Sequence, residues 1–270
     1  MALSEIDATP FLKWAGGKRW LASQVCALTP TSLNRYIEPF LGSGAVYFAL
    51  EPKKSILSDV NPDLINCYFA IRDHWQAVER QLQEHHAYHC TKYYYLIRNT
   101  KFQSSTKRAA QFIYLNRTCW NGLYRVNLNG QFNVPIGTKS AVVMDTDDFE
   151  WTSDLLKTAK LICCDFETTI NRASKNDFVF VDPPYTARHN MNGFVKYNEK
   201  LFSWTDQIRL RAALERAVER GARVLVTNAN HSSVKELYKS FKQRPISRQS
   251  ILAADPAFRS GIDELLISSW

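Results

Sequence analysis

Short apolar runs closed by turn residues recur along the chain, with helical spacings between some of them. Arg35-Tyr-Ile-Glu-Pro-Phe40 runs into a Gly-Ser-Gly turn, and Phe178-Val-Phe-Val181 runs into Asp-Pro-Pro-Tyr185. Both read as buried strands that end in turns. Similar runs at Ser55 to Asp59, Leu161 to Asp165, Arg223 to Asn228 and Glu264 to Ser269 predict further strands, and Thr205 to Arg220 has a helical pattern. Strands alternating with helices predict an α/β fold with a mostly parallel sheet. The rhythm breaks between Pro62 and Lys160, where aromatic, basic and amide residues concentrate. That stretch reads as an insertion, residues 62–160, mainly helical, set into a domain formed by residues 1–61 and 161–270. Within it, Leu123 to Val134 alternates around Asn129-Gly130, a dipeptide that favours a two-residue type I′ hairpin turn.

Composition narrows the class. A chain of 270 residues that is 45% hydrophobic can bury a large core. Its formal charge of +8 suits a surface that meets a polyanion. The cysteines have neither disulfide-framework spacing nor a CxxC pair, as expected of reduced thiols in a cytoplasmic protein. No apolar window is long enough for a signal peptide or a membrane span, so a soluble protein without membrane contact is expected. His85, His86, His89 and Cys90 hold metal-ligand types at helical spacing, but no second ligand pair follows and no metal is expected. The acidic stretch Asp145 to Glu150 reads as a solvated loop or helix start rather than a metal-dependent nuclease site.

Candidate chemistry gathers at strand ends. Glu38-Pro-Phe-Leu-Gly-Ser-Gly44 lets the chain turn tightly where a flat nucleoside approaches the backbone. Tyr47 stands where a dinucleotide fingerprint needs its third glycine, which argues against a pyrophosphate seat. Asp59 closes the next strand, placed either to accept both hydroxyls of a ribose or to cap a helix before Pro62. Asp165-Phe166 offers an acceptor for an adenine amine and a ring for stacking, or forms a surface turn. Asp182-Pro183-Pro184-Tyr185 is the most specific feature. The two prolines fix φ and remove backbone donors, so carbonyls point outward beside an acceptor-only carboxylate. Together these take both hydrogens of an exocyclic amine, Tyr185 supplies a flat face, and no covalent intermediate is needed.

These segments together resemble the Dam-type family of DNA adenine-N6 methyltransferases, the alpha class of amino-methyltransferases, over nearly the whole chain. Phe11-Leu-Lys-Trp-Ala-Gly-Gly-Lys18 resembles the N-terminal cofactor motif, Glu38 to Gly44 the glycine loop, Asp182 to Tyr185 the catalytic tetrapeptide, and Asn116 to Asn127 the DNA-reading hairpin. The resemblance implies a Rossmann-like methyltransferase sheet with an inserted DNA-recognition domain, S-adenosyl-L-methionine as cofactor and double-stranded DNA as partner. No obligatory protein partner is evident. The cofactor residues it implies are Trp14, Lys18, Glu38, Phe40, Gly42, Gly44, Asp59, Asp165, Phe166 and Asp182.

For DNA, the resemblance implies that Arg125 grips guanine O6 and N7 and that Leu123 with Pro135 abuts a thymine methyl. Trp120 and Asn121 would wedge into the space left by a flipped adenine. Arg117, Asn127 and Asn133 would hold phosphates, and Lys13 would reach an outer guanine. A solvated hairpin face and a packed Trp120 are the plainer readings of the same residues. The family target is usually GATC. Thr138-Lys139 stands where the family usually has an Arg and an aromatic, which predicts relaxed reading of the first base pair. Cytosine N4 as acceptor and a non-catalytic DNA-binding regulator are the alternatives.

Overall fold

A computed structural model describes residues 9–127, 130–186, 202–249 and 261–270. In chain order the elements are α1 (Arg19–Leu28), β1 (Tyr36–Glu38), α2 (Ala45–Leu50), β2 (Ser55–Asp59), α3 (Pro62–Ala87), α4 (Thr91–Asn99), α5 (Ser105–Thr118) and α6 (Phe149–Leu156). They continue with β3 (Ala159–Cys163), α7 (Phe166–Ile170), β4 (Phe178–Val181), α8 (Trp204–Glu219), β5 (Arg223–Ala229), α9 (Ser232–Leu237), β6 (Lys242–Gln249) and β7 (Gly261–Ser268). The chain is an α/β protein whose strands are mostly parallel. Each strand expected from the apolar runs is present, with the first shortened to Tyr36–Glu38 because Pro39 follows. The strand β6 went unrecognised in the sequence. Its residues Lys-Gln-Arg-Pro-Ile-Ser-Arg-Gln lack an apolar alternation, and the order of the sheet places it at an edge, where a proline is tolerated.

Two compact units divide the chain, Met1–Thr29 with Leu41–Cys163, and Pro30–Phe40 with Cys164–Trp270. These bounds differ from an insertion over 62–160, because the helices of that stretch fold together with the N-terminal segment and with β2 and β3. In the first unit β2 and β3 are parallel, Ser55 opposite Ala159 and Asp59 opposite Cys163. Asn61 caps α3 by accepting the N–H groups of Asp63 and Leu64, with Pro62 preorganised behind it. Leu64, Tyr68, Ile71, Val78 and Leu82 of α3 are buried, and the helix packs against α5 and α6. Its axis kinks at His74, which has φ −149°.

The second unit holds a sheet in the order β1-β4-β5-β7-β6, in which β1, β4 and β5 are parallel and β7 runs antiparallel to both neighbours. Every residue of β4 is buried, as its unbroken apolar run requires. Arg35 and the buried Asp177, 2.6 Å apart, tie the approach to β1 to the approach to β4. A reciprocal Ser203–Asp206 capping box starts α8.

Between α5 and α6 a hairpin forms, bridging Val126 to Phe132 and Cys119 to Ile136. Its turn differs from the expected one. Gly130 N–H donates to Asn127 C=O, Asn127 N–H to Gln131 C=O, and Gly130 has φ +73°. The closing pair is therefore Asn127 and Gln131, one residue wider than a two-residue turn centred on Asn129-Gly130, and Asn129 itself lies outside the described residues.

Candidate functional site

In the second unit, β4 delivers Asp182 at its C-terminal end, one residue after Val181, which lies opposite Val226 of β5. That register brings Thr227 alongside, and its Oγ1 donates to Asp182 Oδ1 at 2.6 Å. Pro183 is buried, Pro184 and Tyr185 are part-exposed, and the Tyr185 hydroxyl donates to Glu264 Oε2 at 2.6 Å. Burial, then the Asp182 and Glu264 carboxylates, raise the Tyr185 phenol well above its usual pKa, so it remains a donor. Glu38 at the end of β1 is buried and accepts a 2.9 Å hydrogen bond from Tyr36. Phe40 stacks on Phe166 with centroids 5.4 Å apart. Asp165 caps α7 through Glu167 N–H and pairs with Arg209, whose guanidinium lies 4.5 Å from the Phe166 centroid. Asp165 is thus both the cap that a turn requires and an acceptor beside a ring. A planar donor already occupies that place, since Arg209, 42% exposed, also pairs with Glu167 and Asp206.

The first unit contributes the glycine turn. Gly42 N–H and Asn61 N–H both donate to the Asp59 carboxylate, at 3.2 and 3.0 Å, while Tyr68 donates to Gly42 C=O at 2.9 Å. Burial raises the Asp59 pKa, and these backbone donors oppose the rise. Gly42 has φ +50°, and a Cβ there would lie 2.7 Å from Cδ1 of Trp14. Gly44, with φ +67°, stands at the N-cap of α2. Trp14 stacks on Tyr124 at 5.6 Å. Lys18 is buried with its Nζ donating to Gly16 C=O at 2.7 Å. A backbone turn beside an indole, with a carboxylate at the strand end, fits a nucleoside with two ribose hydroxyls.

On the hairpin, Arg125 is exposed and its Nε donates to Asn133 Oδ1 at 2.9 Å, so Asn133 holds the guanidinium across the ribbon. Pro135 is exposed, Leu123 is half-buried, and Asn127 bonds to Gln131. Trp120 is 53% exposed, which removes core packing as its role. Asn121 beside it is exposed with φ +55°. Lys13 is held at its backbone by Asn116, whose Oδ1 accepts its N–H at 2.9 Å and whose Nδ2 donates to its C=O at 2.8 Å. Its amine is pushed down to about 8 by burial and by a hydrogen-bonding contact with Lys139.

Arg117 is not a phosphate contact. Its side chain is 1% exposed, paired on both nitrogens with Asp147 at 2.6 Å and donating to the carbonyls of Phe11 and Val142. It anchors the N-terminal segment to the helical region. The acidic stretch accordingly serves structure, Asp147 as this partner and Asp148 as the N-cap of α6. The histidines are also engaged, His85 with the Tyr93 hydroxyl at 2.8 Å and His89 with that of Tyr114 at 2.9 Å. Thr227, Glu264 and Asn116 escaped the sequence reading. Their signals were a hydroxyl ending the apolar run Val224-Leu-Val226, a carboxylate heading another, and an amide at the head of the segment Asn116 to Asn127.

The sequence pattern of the family described as D12 class N6 adenine-specific DNA methyltransferase matches residues 14–251. The type II methyltransferase M1.LlaDCHI of Lactococcus lactis subsp. cremoris is 34% identical over 276 residues, covering 99% of this chain and 97% of the relative. The type II methyltransferase M.MjaIII of Methanocaldococcus jannaschii is 36% identical over 296 residues, covering 98% and 100%. The DNA adenine methylase of Haemophilus influenzae is 31% identical over 272 residues, covering 95% and 92%.

Proposed function

The chain belongs to the D12 class of N6 adenine-specific DNA methyltransferases, and we propose that it methylates a flipped adenine in duplex DNA at GATC or a variant relaxed in the first base pair. Its substrate is DNA and its methyl donor is S-adenosyl-L-methionine. The adenine specificity of the family sets the cytosine-N4 reading aside.

The Asp182–Thr227 hydrogen bond carries the catalytic assignment. The Asp182 carboxylate, oriented by Thr227, is assigned to one amine hydrogen, and a carbonyl of the Pro183-Pro184 turn to the other. Both hydrogen bonds draw the nitrogen lone pair out of the ring and aim it, while Tyr185 stacks on the base. S-adenosyl-L-methionine supplies the electrophilic methyl group. Taken unit by unit, the proposed cofactor residues are Trp14, Lys18, Gly42, Gly44 and Asp59 of the first, and Glu38, Phe40, Asp165, Phe166 and Asp182 of the second. Arg125, fixed by Asn133, reads a guanine, and Leu123 and Pro135 meet a thymine methyl. Lys13 reaches the outer guanine, Trp120 and Asn121 fill the space of the extruded base, and Asn127 and Asn133 hold phosphates. The proposed setting is a cytoplasm with accessible duplex DNA.

Methylation-sensitive sequencing of DNA from a methylation-deficient host expressing the chain tests this. N6-methyladenine concentrated in GATC is the expected result. Methylation confined to an unrelated motif would refute the target.

A further inference from the structure

Glu264 lies opposite Ala229 of β5, and Leu266 lies opposite Thr227. Residues directly opposite share a face, so Thr227 and Glu264 stand on one side of the sheet, two positions apart on neighbouring strands. That side meets the tetrapeptide, Asp182 at Thr227 and Tyr185 at Glu264. Glu264 is buried at the head of Glu-Leu-Leu-Ile267, where an apolar residue would continue the run without any cost of desolvation. A buried carboxylate needs donors, and the Tyr185 hydroxyl is one of them at 2.6 Å.

From this geometry we infer that Glu264 is a positioning residue, which takes the phenol hydrogen of Tyr185 and so sets the plane of the ring on which the target base stacks. The inference rests on the proposed catalytic role of Asp182 to Tyr185. A stacked base is held in a single orientation only if the ring beneath it cannot rock. Two prolines fix the backbone entering Tyr185, and Glu264, with Thr227 also against the phenol, holds the far end of its side chain. Ring and carboxylate reach the site from different strands, so neither the loop after β4 nor β7 alone sets the angle.

The test is steady-state kinetics of the full chain on a GATC duplex, with kcat separated from KM. Glu264→Ala should lower kcat by about tenfold or more and leave KM for S-adenosyl-L-methionine within about twofold, as lost orientation predicts. Glu264→Gln, whose amide oxygen still accepts the phenol hydrogen, should return kcat to within about threefold of the parent. Tyr185→Phe keeps the ring and removes the hydroxyl, and it carries the test even if Glu264→Ala does not fold. It should show a comparable loss, and the double variant should be no worse than the poorer single. Asp182→Ala should be inactive. Parental kcat in Glu264→Ala or Tyr185→Phe, or losses that multiply in the double variant, would overturn the inference while an inactive Asp182→Ala leaves the catalytic reading standing. An active Asp182→Ala overturns that reading itself.

Discussion

Thr227 Oγ1 donates to Asp182 Oδ1 at 2.6 Å, across the step from the end of β4 to the neighbouring β5. The bond helps to orient the carboxylate proposed to meet an incoming amine. Thr227→Val keeps the β-branched shape and removes the hydroxyl, which donates to Asp182 and also touches the Tyr185 phenol. A hydrogen bond to a charged group contributes about 1.5–3 kcal/mol, so kcat should fall roughly tenfold to hundredfold. Single-turnover methylation checks this, and a parental rate would show that Asp182 is oriented by other contacts.

Gly42 marks the closest approach of the glycine turn to Trp14. Its φ of +50° and the 2.7 Å gap between an added Cβ and Trp14 Cδ1 make Gly42→Ala strained twice over. Left-handed backbone alone costs a non-glycine residue about 1–2 kcal/mol, and the indole must also move. Affinity for S-adenosyl-L-methionine, titrated calorimetrically, should weaken by about tenfold. Unchanged affinity would place the cofactor away from this turn.

Arg117 and Arg125 separate structure from reading. Arg117→Ala leaves Asp147 buried without its guanidinium, and breaking such a pair destabilises by about 3–5 kcal/mol. Denaturant unfolding should show that loss. Arg125→Ala should leave stability unaltered and cost about 1–3 kcal/mol of discrimination at one guanine. Equal stability for both variants would contradict the buried anchor, and parental sequence preference in Arg125→Ala would remove the hairpin as reader.

Lys13 links pH to recognition. Burial and Lys139 push its amine down to about 8, with Arg117 adding to the fall and Cys119 opposing it. Below that pH the amine is charged and, on the proposed reading, donates to a guanine. Above it the charge is lost, so preference for the first guanine should decline between about pH 7 and pH 9, before an ordinary lysine would titrate. Lys139→Ala removes one cause of the depression and should move the decline upward. Competition between GATC and first-position variants across pH measures it, and a flat profile would show that Lys13 does not read this base.

The alternation of apolar runs with helical spacing made the α/β fold legible, and Asp182 to Tyr185 stood out because two prolines after a buried strand have few other uses. The remainder depended on partners distant in sequence. Nothing near Arg117 announces Asp147, so in the sequence a basic residue beside the hairpin reads as a phosphate contact, whereas its burial makes it an anchor. Glu264 was hidden inside a strand signal, since its meaning comes from Tyr185, which reaches it only through the pairing of β7 with β5. β6 was missed because an edge strand is under little pressure to alternate.

The target is tested most directly by methylating duplexes that carry GATC and each of its single substitutions, and measuring N6-methyladenine formed per enzyme. Arg125, Leu123 and Pro135 predict the highest rate on GATC and steep losses at inner and far-side changes. Lys139, a flexible ammonium where a ring is usual, predicts appreciable rates on duplexes altered only in the first base pair. Strict rejection of every first-position variant, or a faster rate on a site unrelated to GATC, would contradict the account.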